Sequence, residues 1–162
     1  MSEKKAAPKF EETAAGLLDG DKLKNFLDFN DFLKKSKVTK GKTNKADTSW
    51  AVRYKNKMIC HFRAYKDLWW ISYFKQEELL ENCGEYVTDA LKEFILANIN
   101  TNPGCGGCNG RENKIVLGKM FDRVCGCHLL LLKNPDGKAL EYAKELVSIN
   151  KNTVDDIMAG KT

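Results

Sequence analysis

The 162-residue sequence predicts an α+β fold: an antiparallel β-meander packed by helices, then a Cys-rich, metal-stapled hairpin and a final helix. Three observations carry this. Apolar residues recur at helical spacing up to about residue 35, then at every second residue from Ser49, then at helical spacing again around residues 90 and 140. Clusters of Gly, Asn, Asp and Pro punctuate the changes of period. A chain of this length buries roughly 68–70% of its unfolded surface in one core, so a single domain over 1–162 is expected.

The elements follow in order. Residues 1–9 read as a flexible tail, and 10–35 as N-terminal helices. FEETAAGLLDG forms a short helix that Gly20 stops, and Asp21 caps a second one whose Leu23, Phe26, Leu27, Phe29, Phe32 and Leu33 share a face. Residues 36–48 are a Lys-rich loop, and 49–99 a meander plus helix. Trp50, Val52 and Tyr54 alternate with Ala51 and Arg53; Asn56-Lys57 turns the chain; Cys60, Phe62 and Ala64 alternate with His61 and Arg63. A third strand spans Leu68 to Phe74. A helix from Gln76, broken near Gly84, buries Val87, Ala90, Leu91, Phe94 and Ile95. Residues 100–150 form the Cys-rich hairpin plus helix, with strands Lys114–Leu117 and Met120–Cys125 about a Gly118-Lys119 turn. A further strand, His128–Leu132, precedes a helix over Lys138–Asn150.

The cysteines are the most specific feature. Cys105-Gly-Gly-Cys108 is followed after 16 residues by Cys125-Gly-Cys127 and then His128. Two thiolates two residues apart reach one tetrahedral zinc when the turn between them is tight, and glycine permits such turns. Over residues 105–127 the pattern resembles a zinc ribbon, with C-x-C in place of the second C-x2-C, so His128 stands as an alternative fourth donor to Cys125 or Cys127. A structural zinc is therefore the expected cofactor. The alternative reading is thiol redox or metal handling by Cys105, Cys108, Cys125 and Cys127, since both pairs can cycle between dithiol and disulfide. Asn-Gly-Arg after Cys108 favours a turn over the helix N-terminus that activates a redox cysteine. Cys60, beside Phe62 on a strand, reads as a buried structural thiol.

A second candidate site is the aromatic meander, whose ligand-binding residues would be Trp50, Tyr54, His61, Arg63, Trp69 and Trp70. Adjacent Trp69 and Trp70 must point to opposite faces of a strand, so one of them belongs on the face away from the helices, beside His61 and Arg63. Such a platform suits a small molecule or a protein partner.

Composition narrows the function classes. The formal net charge of +5 comes from 27 Lys+Arg against 22 Asp+Glu, and only Arg53, Arg63, Arg111 and Arg123 are arginine. Six lysines lie between Lys34 and Lys45, a run that could attract nucleic-acid phosphates but holds no aromatic to stack on a base. No apolar run approaches a membrane span, and the N-terminus lacks the apolar core of a signal peptide, so a cytoplasmic protein without a membrane partner is expected. The two histidines are not paired with a nucleophile, and no P-loop, GxSxG or dinucleotide fingerprint occurs. The sequence thus points to a non-enzymatic binding module with a structural zinc.

Overall fold

The computed structural model describes residues 10–43, 48–74, 86–101 and 110–161. Among them are helices α1 (Phe10–Ala15), α2 (Gly20–Lys35), α3 (Asp89–Ala97) and α4 (Gly137–Met158). The strands are β1 (Thr39–Lys42), β2 (Ser49–Tyr54), β3 (Lys57–Tyr65), β4 (Leu68–Phe74), β5 (Arg111–Val116), β6 (Lys119–Cys125) and β7 (His128–Lys133). Five strands form one antiparallel sheet in the order β1-β2-β3-β4-β7, and β5 and β6 form a separate hairpin. The tail at 1–9, the helix start at Gln76 with its break at Gly84, Cys83, Cys105 and Cys108 lie outside the described residues.

The expected meander is the centre of the sheet, because its period-two apolar residues all meet the helices. Trp50 pairs with Phe62, Val52 with Cys60, Phe62 with Ile71, Ala64 with Trp69, Ile71 with Leu132 and Tyr73 with Leu130. All of these are buried in one cluster with Phe26, Phe29 and Leu33 of α2 and Leu140, Ala143 and Val147 of α4. Phe26 sits at the middle of the aromatic part, with ring centroids 5.3 to 5.8 Å from those of Phe10, Trp50, Phe62 and Trp69. The Tyr73 hydroxyl donates to the Ala143 carbonyl at 2.6 Å, fixing α4 over β4 with the phenol's one polar atom satisfied. Helix α3 starts at Thr88, whose side chain accepts from the Leu91 amide at 3.3 Å, and its Phe94 packs on Tyr142 of α4.

Several boundaries differ from the sequence reading. The stretch 36–48 is not all loop: Thr39–Lys42 pairs with Trp50–Arg53 as the edge strand β1. Both long helices begin at an Asp-Gly pair, Asp19-Gly20 and Asp136-Gly137, in which the aspartate is extended and the glycine adopts φ of +48° and +40°. Gly20 therefore opens α2, where it was expected to close the helix before it. The tight turns fall one residue earlier than expected, at Lys55-Asn56 (φ 46° and 64°) and Leu117-Gly118 (φ 48° and 82°), the doubly left-handed geometry that suits a two-residue hairpin. Helix α4 runs on to Met158 instead of stopping at Asn150.

Candidate functional site

The face of the sheet turned away from the core is set by the same pairing. One row of residues crosses all five strands: Gly41, Ala51, His61, Ser72 and Leu131 stand in register, strand by strand. Three of the five are small. Beside this row on one side stand Thr39, Arg53 and Met58, and on the other Ser49, Arg63, Trp70 and Lys133. A low central row between taller flanks makes a trough, and at its β1 end a cavity of about 460 Å³ is lined by Thr39, Gly41, Thr43, Ala51, Arg53, Met58 and His61, with the β1 lysines Lys40 and Lys42 at its edge. That volume is within the range of small-ligand sites. Gly41 marks how open it is: a Cβ built there meets nothing within 4 Å.

The electrostatics of the trough are one-sided. No carboxylate lines the cavity among the described residues. Burial, with the positive fields of His128 and Arg53 in support, pushes the His61 imidazole down to about 4, so the ring is neutral at physiological pH. Burial also lowers the His128 imidazole. Ser72 is fully buried in the same row, and its hydroxyl makes no hydrogen bond among the described residues. Beyond His61 an aromatic run continues along the face. The Arg63 guanidinium lies 4.4 Å from the Tyr65 ring centroid, Tyr65 stacks with Trp70 at 6.2 Å, and Trp70 meets the His128 ring edge-on at 5.9 Å.

The six residues expected to form an aromatic platform are thus divided by the sheet. His61, Arg63 and Trp70 share the outer face, and it is Trp70, not Trp69, that pairs with Arg63. Trp50 and Trp69 are 3% and 0% exposed against the helices. Tyr54 is also on the helix side, its hydroxyl donating to Asp155 of α4 at 3.3 Å, with the Lys151 ammonium 5.0 Å from its ring. Gly41, Thr39 and Ser72 were missed. Two of them lie in the lysine stretch, where no alternation marks a strand, and a lone serine on a strand carries no signal of its own.

The cysteine cluster is described only in its second half. Cys125 is buried at 3% exposure and Cys127 is exposed, which sorts the C-x-C pair into an inward and an outward thiol. The His128 amide donates to Cys125 Sγ at 3.5 Å. The Gly126 amide donates to the Gly110 carbonyl at 2.9 Å, so the β5–β6 hairpin returns the chain to within two residues of Cys108. Among the described residues no three His, Cys, Asp or Glu side chains come together as metal ligands.

Two lysines of the run are engaged within the fold. Lys34 bonds Glu11 at 3.0 Å and Asp31 at 3.1 Å. Lys40 lies on the helix side, its ammonium 3.5 Å from the Phe10 ring centroid and hydrogen-bonded to buried Asn30.

Comparison with protein-family models, with curated proteins and with solved structures finds no match to this chain. Among the described residues no helix is long and apolar enough to cross a membrane.

Proposed function

We propose that this chain is a non-enzymatic binding module whose outer sheet face takes a small molecule, with a structural zinc pinning the hairpin end of the fold. The observation that carries the binding reading is the trough: an approximately 460 Å³ hollow over a floor of Gly41 and Ala51, ending at His61. Its lining supports this reading, with small and apolar side chains set around Arg53 and the neutral His61. A neutral fluorescent probe, N-phenyl-1-naphthylamine, is expected to bind the wild type and to lose binding in Gly41→Leu, which fills the hollow without touching the core. Binding that is indifferent to Gly41→Leu would place the ligand elsewhere.

The zinc would be held by Cys105, Cys108, Cys125 and Cys127, with His128 as the alternative to one of the last two. Supporting this are the Gly126–Gly110 hydrogen bond, which joins the C-x-C turn to a residue two positions along the chain from Cys108, and the amide donated to Cys125 Sγ. Elemental analysis of protein purified without added metal should give about one zinc per chain. Folded, metal-free protein with a reversible disulfide among these cysteines would instead favour thiol redox chemistry, for which the exposed Cys127 is the accessible thiol.

A further inference from the structure

The charge of the trough names the class of molecule it takes, on the binding reading given above. Arg53 stands at the rim, exposed, in register with Thr39 and Met58, and no carboxylate pairs with it among the described residues. Lys34 and Lys55, by contrast, are held by carboxylates: Lys34 by Glu11 and Asp31, and Lys55 by Asp155 at 2.7 Å. The two hydroxyls nearest the cavity's outer end are already committed to the backbone. Thr39 donates to the Arg53 carbonyl at 3.2 Å and Thr43 to the Ser49 carbonyl at 3.3 Å, so neither supplies a strong donor to a ligand. Arg53 is left as the fork-shaped donor for an acidic group. The remaining surface is apolar or small: Met58 on the flank, Gly41 and Ala51 on the floor, with the floor rising at the His61 ring.

We propose that the trough selects a small organic monoanion, a carboxylate or sulfonate on a flat apolar body, with the anion on Arg53 and the body lying over Gly41 and Ala51 toward His61. Burial keeps His61 uncharged, and of the charged residues lining the cavity Arg53 alone shares its face by strand parity, Lys40 and Lys42 pairing with the helix-side Val52 and Trp50, which favours a single acidic group over a polyphosphate.

Two dyes that differ by one sulfonate test this: 8-anilinonaphthalene-1-sulfonate and the neutral N-phenyl-1-naphthylamine. The sulfonate should bind at least about tenfold more tightly at low salt, as a charge-assisted hydrogen bond warrants, with the gap narrowing as salt is raised. Arg53→Gln should remove most of that gap by weakening the sulfonate far more than the neutral dye, and Gly41→Leu should weaken both. The melting temperature of each variant reports that it is folded. Equal affinities, or a gap that survives Arg53→Gln, would overturn the anion assignment while leaving the binding site standing. Failure of both dyes to bind, or binding of both unaltered by Gly41→Leu, would refute the trough as a site altogether.

Discussion

Replacing Phe26 tests whether the helix-side aromatics hold the sheet in register. The ring is fully buried and touches Phe10, Trp50, Phe62 and Trp69 at once, two of those contacts edge-on. Burying a phenylalanine side chain is worth about 1.5–3 kcal/mol, and the cavity left by truncation adds to the loss, so Phe26→Ala should cost about 3–5 kcal/mol. Against a total stability of about 5–15 kcal/mol, that is a large share. With a urea m-value of about 2 kcal/mol per M, the midpoint should fall by about 2 M. Phe26→Leu keeps most of the volume and should cost less than about 1.5 kcal/mol. The assay is urea unfolding followed by tryptophan emission, since Trp50 and Trp69 lie within 6 Å of the replaced ring. Phe26→Leu should leave dye binding in the trough unchanged, because the ring is on the opposite side of the sheet. A loss below about 1 kcal/mol for Phe26→Ala, or equal losses for the two variants, would show that this cluster does not support the sheet as argued.

Three further outcomes follow from the same geometry. The folded His61 value of about 4 lies below the unfolded one of 6.5, so between those pH values the unfolded chain binds more protons. Stability should be complete above pH 6.5 and fall toward pH 4, by about 1 kcal/mol for this partly exposed ring, and His61→Gln should flatten that part of the urea-midpoint profile. Burial pushes the Cys60 thiol up, so mass-spectrometric mapping with iodoacetamide should find Cys60 unlabelled in the native protein and labelled in urea; native labelling would contradict its packing. Gly137 and Gly41 both face open space, but only Gly137 has positive φ, so Gly137→Ala should cost about 1 kcal/mol and Gly41→Ala close to nothing, as read by paired thermal melts.

How far the fold was legible depends on where side chains touch. The meander could be read because Trp50, Val52, Cys60, Phe62 and Ala64 all meet the helices, which imposes a period of two. Strand β1 could not, because three of its four residues are exposed and its pairing rests on backbone hydrogen bonds that need no apolar pattern. The last turns of α4 were hidden by Asn150 and Thr153, which are buried although polar. Thr153 satisfies its hydroxyl on the Ile149 carbonyl at 3.0 Å, and Val154 and Ile157 then continue the packed face. The candidate site was legible in part for the same reason. Strand parity places His61 and Arg63 together, but which tryptophan joins them depends on register, and the shifts at Val52/Arg53 and Tyr73/Phe74 carry no residue signature. The trough floor needed Gly41, which belongs to the strand without a pattern.

Strand β1 has a consequence for how the protein behaves among its own copies. The opposite border of the sheet, β7, is closed off by the bridge from Ile99 to Leu130 and the Asn100 amide on Leu129, so among the described residues β1 carries the open border. A row of unpaired amides and carbonyls there is a template for a neighbouring molecule to extend the sheet. This border is four residues long and carries the exposed Lys42, with exposed Lys37 just before it, so a second copy would bring like charges close along a very short line of hydrogen bonds. The lysine surplus thereby acquires a physical role in this part of the chain: it discourages strand-to-strand aggregation at the border where the fold is most open to it.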